Sequence, residues 1–298
     1  MSAPAASARV PSRPLAVPAA LDFIRRLQAH RAGIVGVVLV LVVVMGGIFA
    51  PWITPYHPTQ ISMDDALLPP GPSHPFGTDA FGRDVLCRVL YGARFSLQVG
   101  VVSRLLALFI GTFLGLIAGY FGGKTDQAVM RLADVTLAYP GLLLLIAVMA
   151  AVGPSRTALF VSLGIIGWAG VARLVRAQVL SLKEREFVTA IRSLGATHAA
   201  IIARHLLPNV VTPVLVIFSM GLGASIMAES SMSFLGLGAQ PPQPSWGSMI
   251  SSGLDYLRVA PWLSLAPGLV ITATVLGFNL LGDALRDMYD PRLGRPRR

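Results

Sequence analysis

Long apolar runs separated by short polar segments make up most of the chain. A helix that crosses a bilayer needs about 20 consecutive apolar residues. The first run is too long for the apolar part of a signal peptide, about 7 to 15 residues, and is interpreted as a retained span. The pattern predicts an all-α membrane protein with six transmembrane helices, at residues 32–53, 95–121, 132–153, 157–178, 209–229 and 261–282. Within the third span, Tyr139-Pro140 predicts a kink.

Composition supports a membrane protein and excludes several other classes. Hydrophobic residues make up 54% of the 298 residues, charged residues 13%, and the mean hydropathy is +0.68. The single cysteine, Cys87, cannot form an intramolecular disulfide or a thiolate metal site. The net charge of +10 does not indicate nucleic acid as a partner, because the basic residues flank the apolar runs instead of forming an aromatic-interleaved patch.

The distribution of positive charge predicts the orientation. With the N-terminus inside, 18 Lys and Arg residues fall in inner segments and 5 in outer segments. Positive charge is retained on the cytoplasmic side of membrane proteins. The sequence therefore predicts cytoplasmic tails at 1–31 and 284–298, outer loops at 54–94 and 230–260, and a five-helix core over 95–283.

Residues 184–208 form a predicted cytoplasmic loop that interrupts the apolar pattern with charged residues. The spacing predicts a short helix, a turn at Gly195 and a second short helix that ends at Pro208. Such a helix can lie on lipid, pack under its own bundle, or occupy a groove of another protein. The first helix has an apolar stripe of Phe187, Ala190, Ile191 and Leu194, and a polar face of Arg185, Thr189 and Arg192.

Within this loop, Thr189-Ala190-Ile191, then Gly195, then Leu207-Pro208 resemble the "EAA" loop of ABC importer permeases. In that family the loop is a coupling helix that docks on the cytoplasmic ATPase. Thr189 stands where the family has Glu, and His205 replaces the usual Ile. The resemblance implies that ATPase coupling involves Phe187, Thr189, Ala190, Ile191, Arg192, Leu194, Gly195, Ala196, Leu207 and Pro208.

Three further stretches are similar to the second permease subunit of the dipeptide, oligopeptide and nickel branch. They are "HPFGTDAFGRDVLCRVLYGARFSL" (74–97), "LIAGYFGGKTDQAVMRLADVTLAYP" (116–140) and "ESSMSFLGLGAQPPQPSWGSMI" (229–250). The resemblance implies a type I importer permease bundle in a bacterial inner membrane. It also implies a homologous second permease subunit, two cytoplasmic ATPase subunits and an extracytoplasmic solute-binding protein as partners. Peptide and nickel both remain open as solutes.

The segment "AGYFGGKT" (118–125) ends like a phosphate-binding P-loop, but two features exclude that function. Ala118 replaces the first glycine of the motif, and the run before it is a membrane span instead of a strand. Gly119, Gly122 and Gly123 are expected to form a tight turn at the membrane surface. We therefore expect no cofactor on this chain, with ATP and Mg²⁺ bound by the partner ATPases.

Three polar residues in or near the spans are candidates for the solute path: Arg104, Glu229 and Asn279. A charge at the centre of a membrane helix costs about 2.5–3.5 kcal/mol on insertion scales, so each needs a reason. Arg104 either extends toward the headgroups, pairs inside the bundle, or contacts an anionic group of the solute. Glu229 and Asn279 either form interhelical hydrogen bonds or line the path.

Three other functions remain as alternatives. A secondary transporter would have acids near mid-span and internal repeats, and the sequence shows neither. An intramembrane hydrolase is disfavoured because all five histidines lie outside the predicted spans and no HExxH or GxSxG motif occurs. A scaffolding membrane protein is excluded only by the family motifs. The chain is thus not expected to be an enzyme.

Overall fold

The computed structural model describes residues 30–289. This part of the chain is helical, and its only strand-like feature is an isolated bridge between Thr78 and Asp84. The all-α prediction is therefore confirmed for the described residues. The helices are α1 Arg31–Ile53, α2 Val85–Phe121, α3 Gly123–Ala138, α4 Gly141–Val152, α5 Arg156–Lys183, α6 Glu186–Ser193, α7 His198–Phe234, α8 Trp246–Gly253 and α9 Trp262–Tyr289.

Five of these helices, α1, α2, α5, α7 and α9, are long and apolar enough to cross a membrane. Helices α3 and α4 are bent by 90° relative to each other, and the predicted kink at Tyr139-Pro140 is confirmed. Pro140 has no N–H and pushes Tyr139 into an extended conformation, which ends α3. The predicted third span, residues 132–153, is therefore not one continuous helix, and six spans are counted only if this bent pair is one of them.

Several helices extend beyond the predicted spans. Helix α2 begins at Val85, well before residue 95, so the last part of the predicted outer loop 54–94 is helical. The Asp84 side chain caps this helix, accepting a hydrogen bond from the Cys87 N–H at 2.6 Å. Helix α7 continues to Phe234, past residue 229, and includes a π-helical turn at Ile202–Leu206.

Helices α2 and α5 pack against each other more extensively than any other pair of described helices. A Cβ atom placed on Gly115 would lie 2.8 Å from the Cβ of Val175 and 2.7 Å from the Ala172 carbonyl oxygen. Small residues at four-residue spacing allow membrane helices to approach in this way. The same relationship repeats along both helices, with Gly111, Gly115 and Gly119 facing Val171, Val175 and Val179.

The end of the bundle that the sequence predicts to be outer is closed by the segment after α1 and by the segment around α8. His74 Nδ1 lies 2.9 Å from Asp84 Oδ2, and the Trp262 indole N–H donates to the Thr78 carbonyl at 3.3 Å. Trp246, at the start of α8, is fully buried and donates to the carbonyl of Val89 at 2.9 Å. These hydrogen bonds hold the outer segments against α2 and α9.

Candidate coupling surface and solute path

Helix α6 has an inner face that packs on the bundle and an outer face that does not. Val188 is fully buried, and Ile191 packs in the same apolar cluster with residues of α2, α5 and α7. Phe187 is 38% exposed and Leu194 is 86% exposed. Most of the predicted stripe therefore points away from the bundle, and only Ile191 belongs to the inner face. Thr189, Ala190 and Arg192 are exposed as well.

The turn after α6 is a Schellman motif, a hydrogen-bonded glycine cap of a helix C-terminus. The Gly195 N–H donates to the Arg192 carbonyl at 3.0 Å, and the Ala196 N–H donates to the Ile191 carbonyl at 3.3 Å. Gly195 has φ +83°, a left-handed conformation that glycine adopts without steric cost. Thr197 then caps α7 by accepting from the Ala200 N–H at 3.3 Å. The predicted helix and glycine turn are present, but the second helix does not end at Pro208, because it continues into the long helix α7.

Leu207-Pro208 causes an irregularity in the first part of α7. Pro208 cannot donate a backbone hydrogen bond, and its ring crowds the carbonyl of the preceding turn. The chain widens here into a π turn, in which the Leu207 N–H bonds to the Ile202 carbonyl. The Asn209 side chain donates to the His205 carbonyl at 2.6 Å. Leu207 is half-buried in the apolar cluster, and Pro208 is exposed.

Tyr120 of α2, which the sequence did not single out, contacts two residues of this loop, and Lys183 at the end of α5 also contacts α2. The Tyr120 hydroxyl is 2.7 Å from His198 Nδ1, and the Arg192 guanidinium lies over the Tyr120 ring at 5.8 Å. Lys183 Nζ donates to the Gly119 carbonyl at 3.0 Å. The only signal for Tyr120 was its place beside the glycine-rich turn, which did not indicate a partner 78 residues away.

The glycine-rich turn joins two helices. Gly122 and Gly123 have φ +66° and +54° and connect α2 to α3, so the predicted tight turn is present at these two positions. Gly119 lies within α2 and packs on Val179 instead. Ion pairs Asp126–Arg176 and Asp134–Arg173 hold α3 to α5 on the same side of the bundle.

Arg104 lies near the middle of α2 and points toward the middle of α7. Its Nη2 donates to the Ile217 carbonyl at 2.8 Å, and its guanidinium lies against Gly221. Its Nε is buried without a hydrogen-bond partner. Arg104 borders a cavity of about 270 Å³ between α2, α4, α5 and α7, whose lining includes Gly141, Leu142, Leu145, Gly167, Ser225 and Ala228.

Glu229 and Asn279 do not line the cavity beside Arg104. Glu229 is fully buried, and its carboxyl group accepts hydrogen bonds from Ser96 at 2.6 Å, Ser233 at 2.7 Å and Ser230 at 3.3 Å. Asn279, on α9, lies beside Gly223 of α7. Gly221 and Gly223 are about 200° apart around a helix, so Arg104 and Asn279 are on different sides of α7. The structure therefore does not bring the three candidate path residues together.

Comparison with known proteins assigns this architecture to a family. Residues 111–295 match the model of the binding-protein-dependent transport system inner membrane component. The chain belongs to this family. Residues 20–70 also match the N-terminal transmembrane domain of oligopeptide transport permease C. The family assignment makes this chain a multi-pass component of a membrane transport system, in agreement with the importer permease predicted from the sequence motifs.

Similar proteins cover almost the whole chain. The dipeptide transport system permease protein of Alkalihalophilus pseudofirmus is 42% identical over 269 residues, which is 90% of this chain and 88% of that protein. The glutathione transport system permease protein of Pectobacterium atrosepticum is 42% identical over 274 residues, 91% of each chain. The protein of the same name from Escherichia coli is 43% identical over 274 residues, 91% of this chain and 90% of that protein.

Proposed function

We propose that this chain is the transmembrane permease subunit of an ATP-driven importer that moves dipeptides or oligopeptides across a bacterial inner membrane. The similarity to permeases named for dipeptide and glutathione transport supports a peptide solute. Import of nickel or another small solute by the same architecture is the alternative. A self-contained secondary transporter is less well supported, because no acidic side chain of the described residues borders the cavity at Arg104.

The partners follow from the proposed function. The chain would pair with a homologous second permease subunit, dock two cytoplasmic ATPase subunits and receive its solute from an extracytoplasmic binding protein. ATP and Mg²⁺ would be bound by the ATPases, and this chain would bind no cofactor. The excess of Lys and Arg in the inner segments supports an orientation with both termini in the cytoplasm.

The outer face of α6 is the observation that supports ATPase docking at residues 184–208. Phe187 and Leu194 are seven positions apart, two turns along one face; Leu194 is 86% exposed, and Phe187 is partly covered at 38% exposed. An amphipathic helix that presents apolar side chains outward fits a groove of another protein. Because Val188 and Ile191 fix the adjacent face to the bundle, movement of α6 would be transmitted to α2, α5 and α7.

The contacts of α6 and the Gly195 turn support a mechanism that would couple closure of the ATPases to movement of the membrane helices. Closure of the ATPases would move α6, and the hydrogen-bonded Gly195 turn would pass that movement to the start of α7. The bond between Tyr120 and His198 would pass it to α2. The close contact of glycines on α2 with valines on α5 would make these two helices tilt together. The tilt would switch access between outside and inside, which is alternating access.

Replacing Leu194 with Asp tests the docking surface. Leu194 is 86% exposed, so the charge costs little in the isolated chain, but it would be buried against an ATPase. We expect Leu194→Asp to insert normally and to lose the ATPases during purification of the complex. Leu257→Asp is the matched control, since Leu257 is 46% exposed at the outer end and lies far from α6. Retention of the ATPases by Leu194→Asp would contradict docking at this surface.

Uptake by the assembled transporter tests the solute. Cells that lack other peptide importers, with and without this chain, would be supplied with a radiolabelled dipeptide or with radioactive nickel. Accumulation of the peptide that depends on this chain supports the proposed function. Accumulation of nickel alone would support the alternative.

A further inference from the structure

We infer that Arg104 is the subsite of this chain that binds the carboxylate of a transported peptide. This inference rests on the proposed function and adds a residue that selects the solute. The first observation is that the positive charge of Arg104 is not paired with an acidic side chain of the described residues. Among residues 30–289, no acidic side chain forms an ion pair with Arg104. Its one hydrogen bond is to the Ile217 carbonyl, which carries no net charge.

The position of Arg104 excludes the headgroups as its partner. Helix α2 extends beyond the predicted span 95–121, and within that span Arg104 lies nine residues from the outer end, which is roughly 14 Å of helix, and farther from the inner end. Its side chain does not run along α2 toward an end but crosses to Ile217 and Gly221, which are themselves near the middle of α7. A cation at this depth is costly unless an anion compensates it. The described chain supplies no such anion.

The cavity beside Arg104 has the size and lining for a small solute. Its volume is about 270 Å³, and the side chains on its α7 wall are small: Gly221, Ala224, Ser225 and Ala228. A second cavity of about 450 Å³ lies toward the outer end of α7, lined by Met227, Ser231 and Phe234 among others. Leu142 borders both cavities. A peptide extending from Arg104 along this face of α7 would place its apolar side chains in the outer cavity.

The chemistry of the guanidinium group matches a carboxylate. Arginine has five N–H donors in a planar arrangement that fits the two oxygens of a carboxylate. Only one hydrogen bond of Arg104 is used within the described chain, so donors remain for a solute. Every unmodified linear peptide ends in a carboxylate, so this contact would accept many sequences while discriminating against peptides with a blocked C-terminus.

Transport of paired substrates by the assembled transporter tests this role. Uptake of a labelled dipeptide with a free C-terminus would be compared with uptake of the same dipeptide as its C-terminal amide. The same binding protein delivers both substrates to wild type and to variant, so its own preference cancels when the two ratios are compared. We expect Arg104→Gln to lower uptake of the free acid by about tenfold to a hundredfold and to leave uptake of the amide unchanged. Arg104→Lys should retain part of the preference, because it keeps the charge but loses the planar donor pair.

A second variant tests the geometry while the arginine stays in place. A Cβ atom on Gly221 would lie 2.0 Å from Arg104 Nε, so Gly221→Ala must displace the guanidinium group and should also reduce the preference for the free acid. Gly170→Ala on α5 is the matched control, because its Cβ would meet none of the described residues within 4 Å. An equal loss of both substrates in Arg104→Gln would overturn the inference. So would loss of the second permease subunit from the complex, since Arg104 would then pair with an acid of that subunit.

This test also separates the inference from the proposed function. If the wild-type transporter takes up neither peptide, the proposed peptide function fails. If it takes up both peptides and Arg104→Gln leaves their ratio unchanged, the proposed function stands and the carboxylate subsite fails.

Discussion

Tyr120, at the end of α2 predicted to be cytoplasmic, and His198, at the start of α7, are joined by a hydrogen bond of 2.7 Å between the hydroxyl and Nδ1. This bond connects the segment after the Gly195 turn with a helix that runs through the whole bundle. It gives α6 and the Gly195 turn a direct route to α2, in addition to the continuous backbone into α7. The relationship leads to the first prediction.

Tyr120→Phe should reduce coupling without dissociating the complex. The substitution keeps the buried ring and removes one hydrogen bond, which is worth about 1 kcal/mol, or roughly a fivefold effect. We expect the number of solute molecules transported per ATP hydrolysed to fall by up to that factor, measured in proteoliposomes. Tyr139→Phe is the control, because Tyr139 is 61% exposed at the bend between α3 and α4. Unchanged coupling in Tyr120→Phe would show that this contact does not transmit motion.

The uptake activity of Gly195 variants should follow how well each new residue adopts a left-handed backbone conformation. Any residue with a Cβ costs roughly 1–2 kcal/mol at the φ of +83° found here, and Asn costs less than Ala. Among the described residues nothing lies within 4 Å of a Cβ at position 195, so we attribute crowding there to a docked partner. We expect ATP-dependent uptake to decrease in the order Gly195→Asn, Gly195→Ala, Gly195→Trp, with membrane insertion retained. Normal uptake by Gly195→Trp would remove the coupling assignment.

Gly115→Ala should destabilise the bundle by forcing α2 and α5 apart. The new Cβ would be 2.7 Å from the Ala172 carbonyl oxygen and 2.8 Å from the Val175 Cβ, and neither atom belongs to a flexible chain end. Overpacking of this kind costs about 1–3 kcal/mol. The measurement is the midpoint of thermal unfolding in detergent, compared with Gly170→Ala, where the same methyl group enters open space. Equal midpoints would show that the α2–α5 contact is looser than the structure indicates.

Glu229 is expected to stabilise the outer half of the bundle through hydrogen bonds. In Glu229→Leu the hydroxyls of Ser96 and Ser233 lose their acceptor in a buried site, at a cost of about 1–3 kcal/mol for each unsatisfied group. Glu229→Gln keeps an acceptor oxygen and nearly the same volume, so it should retain most of the stability. Thermal unfolding of both variants measures this difference. If Glu229→Gln keeps its stability but changes the preference among solutes, Glu229 takes part in the path after all.

The all-helical class and the kink at Tyr139-Pro140 could be predicted from the sequence, because both depend on local physics. Runs of about 20 apolar residues specify membrane helices, and a proline favours a break because it lacks a backbone donor and restricts the residue before it, although Pro51, Pro213 and Pro267 lie within continuous helices. The helix, glycine turn and helix over residues 184–208 were also predictable, since amphipathic spacing and a glycine C-cap are properties of short segments. Helix ends were less predictable. Asp84 and Thr197 start their helices in polar sequence, outside the apolar windows.

Only the tertiary structure decided which side of each helix faces which neighbour. The apolar stripe of α6 was visible in the sequence, but burial of Val188 turned Phe187 and Leu194 outward and made them available to a partner. Arg104, Glu229 and Asn279 looked alike as polar residues in apolar segments. Packing gave Glu229 three hydroxyl partners, placed Asn279 beside Gly223, and left Arg104 with a cavity and no acid. Pairwise contacts between residues far apart in the chain depend on how the helices pack, which local hydrophobicity and spacing do not encode.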